Sequence, residues 1–370
     1  MASQEDTPSP YKAYINQKHF GHLDGLRFIC ISMVLWHHYS PIERSTAQLF
    51  SRGFLGVDFF FVLSGFLITT LLLRETRTYG QFSMKNFYIR RAVRIIPVYY
   101  FVVTVISLYY IVAQGQTEYL AGTPYYYLFL SNFLTEHTPL LEITWSLSVE
   151  EQYYLLWPLL LLILPGRIMV PTCLFLIALN VIIALDLFGI DPISGGVLLF
   201  KLPNATYAPI IMGSLAAVLL DKPRSFEGLY RFTHQRWAAL VGFVFLVLVF
   251  QFGPSNVIGL QNFIIHTAMT FILIALIVRE DNPLSPFLKN RIVKRVGAVS
   301  YGVYLYHLIA LDVTHRGTGA VGVDNPWAIF TIYCLLSYVM AEISFRTLEA
   351  YFQRFRPKEH RTPLAKGSKA

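Results

Sequence analysis

The chain has 370 residues, of which 55% are hydrophobic and only 14% are charged, and its mean hydropathy is +0.49. Because soluble domains carry about 25% charged residues, this composition excludes an ordinary soluble enzyme and indicates a protein built of membrane-spanning helices. The net charge of +8 does not indicate nucleic-acid binding, since that function needs a basic patch with exposed aromatic side chains on a soluble module.

Apolar segments of about 17 to 25 residues, the length that crosses a bilayer as a helix, recur along the whole chain. We predict ten spans, at about residues 24–41, 53–73, 94–113, 144–164, 169–187, 205–220, 237–252, 259–278, 297–314 and 327–348. The apolar stretch 125–133 is too short to span and is predicted to be interfacial or re-entrant. The predicted fold class is an all-α integral membrane protein, with a membrane domain at residues 22–350 between an N-terminal tail (1–21) and a basic C-terminal tail (351–370).

Lysine and arginine residues are distributed unequally between the two sides. If both termini are cytoplasmic, only four of the 30 Lys and Arg residues fall on outer segments, namely Arg44, Arg52, Lys201 and Arg316. Basic residues accumulate on the cytoplasmic side of membrane proteins, so we predict cytoplasmic termini in a multi-pass protein of the plasma (inner) membrane. The first twenty residues lack the apolar run of a cleaved signal, which assigns them to the cytoplasmic tail.

The three cysteines do not indicate a disulfide framework or a metal site. Cys30, Cys173 and Cys334 are isolated in apolar segments, with no CxxC pair and no histidine at ligand spacing. We interpret them as small core residues, and no bound metal is expected.

The first span carries ionisable residues along one face. It begins HLDGLRF and ends near the pair His37 and His38. At about 100° per residue, the eleven steps from Arg27 to His38 end roughly 20° from full register, whereas ten steps leave His37 about 80° away. Asp24 lies near the same line as Arg27. Since ionisable groups inside spans mark function by default, His38 is the candidate reactive histidine; an interfacial structural histidine is the alternative.

Three other spans offer ionisable groups at about the depth of His38. Asp58, Glu150 and His307 each lie roughly 5 to 10 Å inside the outer helix end, counted at about 1.5 Å per residue. Glu150 is favoured over Glu151 because its helical face is polar and aromatic. We predict a reaction chamber at this level, with interfacial placement as the alternative. Its other predicted wall residues are Ser64, Trp145, Ser146, Tyr154, Tyr301 and Tyr304.

The inner side has a different chemistry. The segment FYIRRAVRIIPVYY places Arg90, Arg91 and Arg94 at the cytoplasmic mouth of the third span. Arginine forks match phosphate oxygens, so we predict that these residues, with Arg27, bind an anionic substrate. Anchoring by the positive-inside rule is the alternative explanation.

Five motifs resemble the acyltransferase-3 family of integral-membrane O-acyltransferases. They are LDGLR followed by His38, GVDFFFVLSGFLIT, FYIRRAVRIIPVYY, TWSLSVEEQYYLLWP and SYGVYLYH. The resemblance covers about residues 20–355. It implies the transfer of an acyl group, usually acetyl, from cytosolic acyl-CoA to a sugar hydroxyl, often beyond the membrane. By motif it assigns roles to Arg27, His38, Asp58, Arg91, Arg94, Trp145, Ser146 and Glu150. FRTLEAYF, with Arg346 and Glu349, resembles the family's last helix, without an assigned role.

These observations lead to a mechanistic hypothesis. His38 deprotonates the acceptor hydroxyl, Glu150 or Asp58 fixes its tautomer, and hydroxyls such as that of Tyr304 meet the oxyanion. A transient acyl-histidine is the alternative chemistry. We expect no permanently bound cofactor, with acyl-CoA, most simply acetyl-CoA, as co-substrate.

The alternative functions belong to other classes. A transporter or flippase for an anionic solute would use the same buried charges as a permeation path, whereas a receptor-like scaffold leaves them unexplained. Expected partners are acyl-CoA, a sugar or glycan acceptor, the lipid bilayer, and either a second copy of the chain or a separate glycan-assembly protein. No fused extracellular hydrolase-like domain is expected, because the chain ends about 22 residues after the last predicted span.

Overall fold

The computed structural model describes residues 9–17, 19–43, 45–185, 193–200, 207–254 and 259–357. Two of the four basic residues predicted on the outer side, Arg44 and Lys201, lie outside these ranges. The first eight residues and most of the predicted basic tail, 358–370, lie outside them too.

Helices dominate the part of the chain that is described, and a helix occupies each of the ten predicted spans. The α-helices are α1 (Pro10–Asn16), α2 (Leu23–His38), α3 (Gln48–Ser51), α4 (Leu55–Tyr79), α5 (Met84–Leu108), α6 (Thr123–Tyr127), α7 (Thr144–Ile163), α8 (Met169–Ala184), α9 (Ala208–Leu220), α10 (Pro223–Thr233), α11 (Ala238–Phe252), α12 (Leu260–Val278), α13 (Ser285–Leu288), α14 (Arg291–Ala298), α15 (Ser300–Val321), α16 (Pro326–Ser344) and α17 (Ala350–Gln353). The helical class that the sequence predicts is therefore confirmed.

Four helices of the described ranges are long and apolar enough by themselves to cross a membrane. They are α4, α12, α5 with the π-helical turn Tyr109–Ala113, and α16 with the residues that follow it to Gln353. Two bent pairs raise this number to six if each is one span: α10 with α11 bends by 71°, and α14 with α15 bends by 75°. The protein is thus an all-α membrane protein, while ten spans and cytoplasmic termini stay predictions.

Helices α4 and α9 touch at their backbones. A side-chain carbon added at Gly65 would lie 1.8 Å from the carbonyl oxygen of Ile210, and one added at Gly213 would lie 2.0 Å from that of Val62. Neither distance is possible for a real side chain, so these glycines permit the contact. Small residues are the means by which membrane helices approach closely. The contact fixes α4, which carries Asp58 and Ser64.

The segment between α5 and α7 folds as short helical turns. Two 3₁₀ turns, Thr117–Ala121 and Ser131–Phe133, flank α6. The hydroxyl of Tyr99 on α5 donates to the carbonyl of Tyr126, 2.9 Å away, and ties the segment to the bundle. A two-stranded hairpin, β1 (Ile193–Gly195) with β2 (Leu198–Phe200), is the sheet in the described residues. Segment 125–133 is, as predicted, too short to span.

The predicted N-terminal tail contains folded structure. Helix α1 places Tyr14 in the core, where its ring stacks on Phe226 with centroids 5.5 Å apart. Arg74 near the end of α4 donates to the carbonyl of Gln17, 2.7 Å away. The described part of the tail therefore packs against the ends of α4 and α10.

Candidate active site

A single cavity of about 790 Å³ collects most of the residues that the sequence singles out. Helices α2, α4, α5, α7 and α15 contribute to its wall, together with the chain after α16. Its wall includes these predicted site residues: Arg27, Ser64, Arg90, Arg91, Arg94, Ser146, Glu150, Tyr154, Tyr301 and Tyr304. Since they come from five separate helices, the fold itself brings them together.

One end of the cavity is basic. Arg91, Arg94 and Arg356 line it, and we call it the arginine end. The guanidinium of Arg91 lies over the ring of Tyr154, 5.2 Å from its centroid. No hydrogen bond or ion pair to Arg94 occurs among the described residues, so its charge faces the cavity. This end is suited to an anionic group.

Two other predicted arginines line the cavity but are engaged by carboxylates. Arg27 donates to Asp24 at 3.0 Å, within α2. Arg90 donates to the buried carboxylate of Glu75 at 2.9 Å. Their positive charge is therefore partly compensated, and Arg91 and Arg94 dominate the arginine end.

A polar chain runs along the middle of the cavity. The hydroxyl of Tyr154 donates to Glu150 at 2.8 Å, and Ser64 donates to the same carboxylate oxygen. Because Tyr154 also lies beneath the guanidinium of Arg91, the chain connects the arginine end with Glu150. Trp145 does not join it and packs edge-on against Phe61, with ring centroids 6.2 Å apart.

Hydroxyl groups form the opposite end. Ser146 lies eight residues before Tyr154 on α7, about 12 Å along the helix axis, and is thus separated from Arg91, which lies over the ring of Tyr154. Its Oγ is 2.7 Å from the hydroxyl of Tyr304, and each is 3.0 Å from the carbonyl oxygen of Ile143. We call this pair, Ser146 and Tyr304, the hydroxyl end. Tyr301 also lines the cavity and donates to the carbonyl of Ile95 at 3.0 Å.

A pair of histidines lies next to the hydroxyl end. Nδ1 of the fully buried His307 is 2.5 Å from the carbonyl of Tyr304, and its Nε2 is 3.3 Å from Nδ1 of His38. The same Nδ1 of His38 lies 2.9 Å from the carbonyl of Val34. Carbonyl oxygens only accept hydrogen bonds, so both Nδ1 atoms carry hydrogen. His307 Nε2 is then the acceptor, and the lone pair of a neutral His38 lies on Nε2.

His37 and His38 have different neighbours. The ring centroid of His38 lies 4.5 Å from that of His307, whereas the ring centroid of His37 lies 5.7 Å from that of Phe54. His38 is half-buried and is not part of the cavity wall. It connects to the cavity through His307 and Tyr304.

The two carboxylates predicted to orient His38 contact other groups, which corrects that part of the hypothesis. Asp58 accepts from Nε2 of His266 on α12 at 3.0 Å, and Glu150 accepts from Ser64 and Tyr154. The group on Nδ1 of His38 is another histidine. Sequence reasoning missed His266, although an ionisable side chain inside a predicted apolar span was the signal that could have found it.

Glu349 is the second residue that sequence reasoning left without a role. It lines the cavity, as Arg94 does, on the π-helical turn Phe345–Glu349 that follows α16, and it interacts electrostatically with Arg94. Gln353, one helical turn further, lines the cavity as well.

These features define the class of the protein: a helical membrane protein with a cavity that is basic at one end and has two hydroxyls, next to a histidine pair, at the other. The family described as Acyltransferase domain matches residues 20–342. The chain therefore belongs to this acyltransferase family, as its motifs predict.

Two relatives are similar over most of this chain. The chain is 27% identical over 394 residues to the peptidoglycan O-acetyltransferase OatA of Listeria monocytogenes. This alignment covers 93% of this chain and 59% of that relative. It is 28% identical over 361 residues to the O-acetyltransferase OatA of Staphylococcus aureus, with 88% and 56% covered. The chain thus spans less than two thirds of the length of these relatives. No solved structure matches it significantly.

Proposed function

We propose that the protein transfers an acyl group, most simply acetyl, from cytosolic acyl-CoA to a hydroxyl of a glycan at or beyond the membrane. The observation that carries this proposal is that one cavity has arginines at one end and hydroxyls beside a histidine pair at the other. The names of the relatives support acetyl as the group and a glycan such as peptidoglycan as the acceptor.

The donor would lie along the cavity. Arg91 and Arg94, assisted by Arg27 and Arg90, attract its phosphates at the arginine end. The cavity volume of about 790 Å³ is within the roughly 300 to 1,000 Å³ of small-molecule sites. Along α2, Arg27 and His38 are about 16.5 Å apart, which is comparable to the roughly 15 to 20 Å reach of an extended pantetheine arm. The thioester therefore reaches the hydroxyl end.

His38 acts as the general base in this proposal. The carbonyl of Val34 and Nε2 of His307 both accept from Nδ1 of His38, so Nε2 of His38 is the atom that takes the proton of the acceptor hydroxyl. The hydroxyl oxygen attacks the thioester carbon, the C–S bond breaks, and the same Nε2 returns the proton to the coenzyme A thiolate that leaves. His307 has the orienting role that the sequence hypothesis gave to a carboxylate. The same Nε2 would be the nucleophile if an acyl-histidine forms.

The remaining polar groups stabilise the reacting thioester and the wall around it. Ser146 and Tyr304 share one carbonyl acceptor, so one of the two hydroxyls can turn towards a developing oxyanion while the other keeps the contact. Glu150 holds Tyr154 and Ser64 in place. Asp58 is assigned to a supporting pair with His266.

The test uses purified protein in lipid nanodiscs with acetyl-CoA and soluble peptidoglycan fragments. We expect release of free coenzyme A that depends on the acceptor, with O-acetylated fragments detected by mass spectrometry. Binding of acetyl-CoA without turnover for any glycan acceptor would refute the enzyme and favour the transporter.

A further inference from the structure

The end of the last long helix departs from α-helical geometry at the cavity. Helix α16 passes into the π-helical turn Phe345–Glu349 before α17. A π-helical turn holds an additional residue and rotates the side chains that follow it, and such turns are frequent at functional sites. The result here is that Phe345, Glu349 and Gln353 all line the cavity.

Glu349 is a mostly buried residue that lines the cavity. Its exposed fraction is 8%, and within the described ranges no hydrogen bond or ion pair reaches it; Arg94 is near enough to interact with it electrostatically. A carboxylate in a largely buried wall gains from a hydrogen-bond donor, because hydrogen bonds to charged groups are stronger than those between neutral groups. Both Glu349 and Arg94 line the same cavity, so a bound molecule can supply the missing partners.

The two charges select the chemistry of the group between them. A phosphate would satisfy Arg94 but would be repelled by Glu349. A secondary amide satisfies both, because its carbonyl accepts from a guanidinium while its N–H, on the opposite side, donates to a carboxylate. The pantetheine arm of an acyl-CoA has two such amides between its phosphates and its thioester.

We propose that Glu349 and Arg94 clamp an amide of the donor's pantetheine arm and thereby set the depth at which the thioester stops. This proposal rests on the acyl-CoA donor of the proposed function. Glu349 is the hydrogen-bond acceptor for the amide N–H. Arg94, assigned above to the phosphates, donates instead to the amide carbonyl, and the phosphates are bound by Arg91 and Arg356 with the assistance of Arg27 and Arg90.

The test compares acetyl-CoA with an analogue in which both amides are replaced by esters. The esters keep the carbonyl that faces Arg94 and lack the N–H that Glu349 accepts. For the wild-type protein in nanodiscs we expect a KM at least about tenfold lower for the amide donor, as for a hydrogen bond to a charged group. Glu349→Met should abolish this preference while its KM for the ester donor stays at the wild-type value, and Glu349→Gln, which keeps an acceptor, should retain part of it.

Glu342 provides the matched control. It lies on α16, about two helical turns before Glu349, pairs with Arg295 and Arg346 at 2.6 Å each, and does not line the cavity. Glu342→Gln should therefore keep the full preference for the amide donor.

The outcomes separate this proposal from the proposed function. If the wild-type protein does not use acetyl-CoA, the proposed function fails. If it uses acetyl-CoA but Glu349→Met keeps the amide preference, only the clamp is refuted. If Glu349→Met is inactive with both donors, the affinities of Glu349→Gln for coenzyme A and for its ester analogue are measured instead. A ratio of these two affinities equal to that of the wild-type protein overturns the clamp.

Discussion

Replacing His307 by phenylalanine isolates the orienting role of the histidine pair. The substitution keeps an aromatic ring in a fully buried position and removes the acceptor 3.3 Å from Nδ1 of His38. The carbonyl oxygen of Val34, 2.9 Å from Nδ1 of His38, still accepts its hydrogen bond. The tautomer with hydrogen on Nδ1 is therefore less favoured but still present. One neutral hydrogen bond contributes about 1 kcal/mol, which corresponds to a roughly fivefold lower kcat.

The assay is initial-rate acetyl transfer with acetyl-CoA and a peptidoglycan fragment. We expect kcat of His307→Phe to fall about fivefold with an unchanged KM for the donor, whereas His38→Ala should lose about 100-fold or more. His315→Phe, on the exposed face of the same helix, is the control and should match the wild-type rate. A loss for His307→Phe as large as that for His38→Ala would refute the reasoning, because His307 would then take part in the chemistry.

Two further substitutions test how the site is supported. Gly213→Ala places a carbon 2.0 Å from the carbonyl oxygen of Val62, so we expect the free energy of unfolding in detergent to fall by about 1 to 3 kcal/mol or more. Gly317→Ala, with open space around it, is the control and should melt like the wild type. Equal melting temperatures for the two variants would contradict the close contact of α4 and α9. Asp58→Ala leaves His266 buried without its partner, so we expect it to lower the melting temperature. The loss for the double variant with His266→Ala should be smaller than the sum of the losses for the two single variants. Additive losses would show that the pair is not coupled.

The helices of the ten predicted spans could be predicted from the sequence because each of those segments is a long apolar run, and helical geometry is the way to satisfy the backbone in lipid. The grouping of Arg27, Arg91 and Arg94 at one cavity could be predicted as well, since their motifs place them near the same side of the membrane. Counting residues from the end of a helix thus gives the depth of a residue along that helix.

Cross-helix partners could not be predicted in this way. Depth counting does not give the direction in which a side chain points relative to neighbouring helices, so Asp58 and Glu150 were expected at His38, whereas Asp58 contacts His266. The position of Glu349 depends on a π-helical turn, which leaves no mark in the hydrophobic periodicity. Both facts depend on packing between distant parts of the chain.

The most direct test of the central claim measures transfer across a sealed membrane. The protein is reconstituted into sealed vesicles that contain a peptidoglycan fragment, and radiolabelled acetyl-CoA is added outside. The label on the enclosed fragment is then counted. Only protein molecules whose arginine end faces the outside solution can contribute to this label. We predict that the wild-type protein and His37→Ala label the fragment and that His38→Ala does not. Normal labelling by His38→Ala, or label that never reaches the enclosed fragment, would contradict the account.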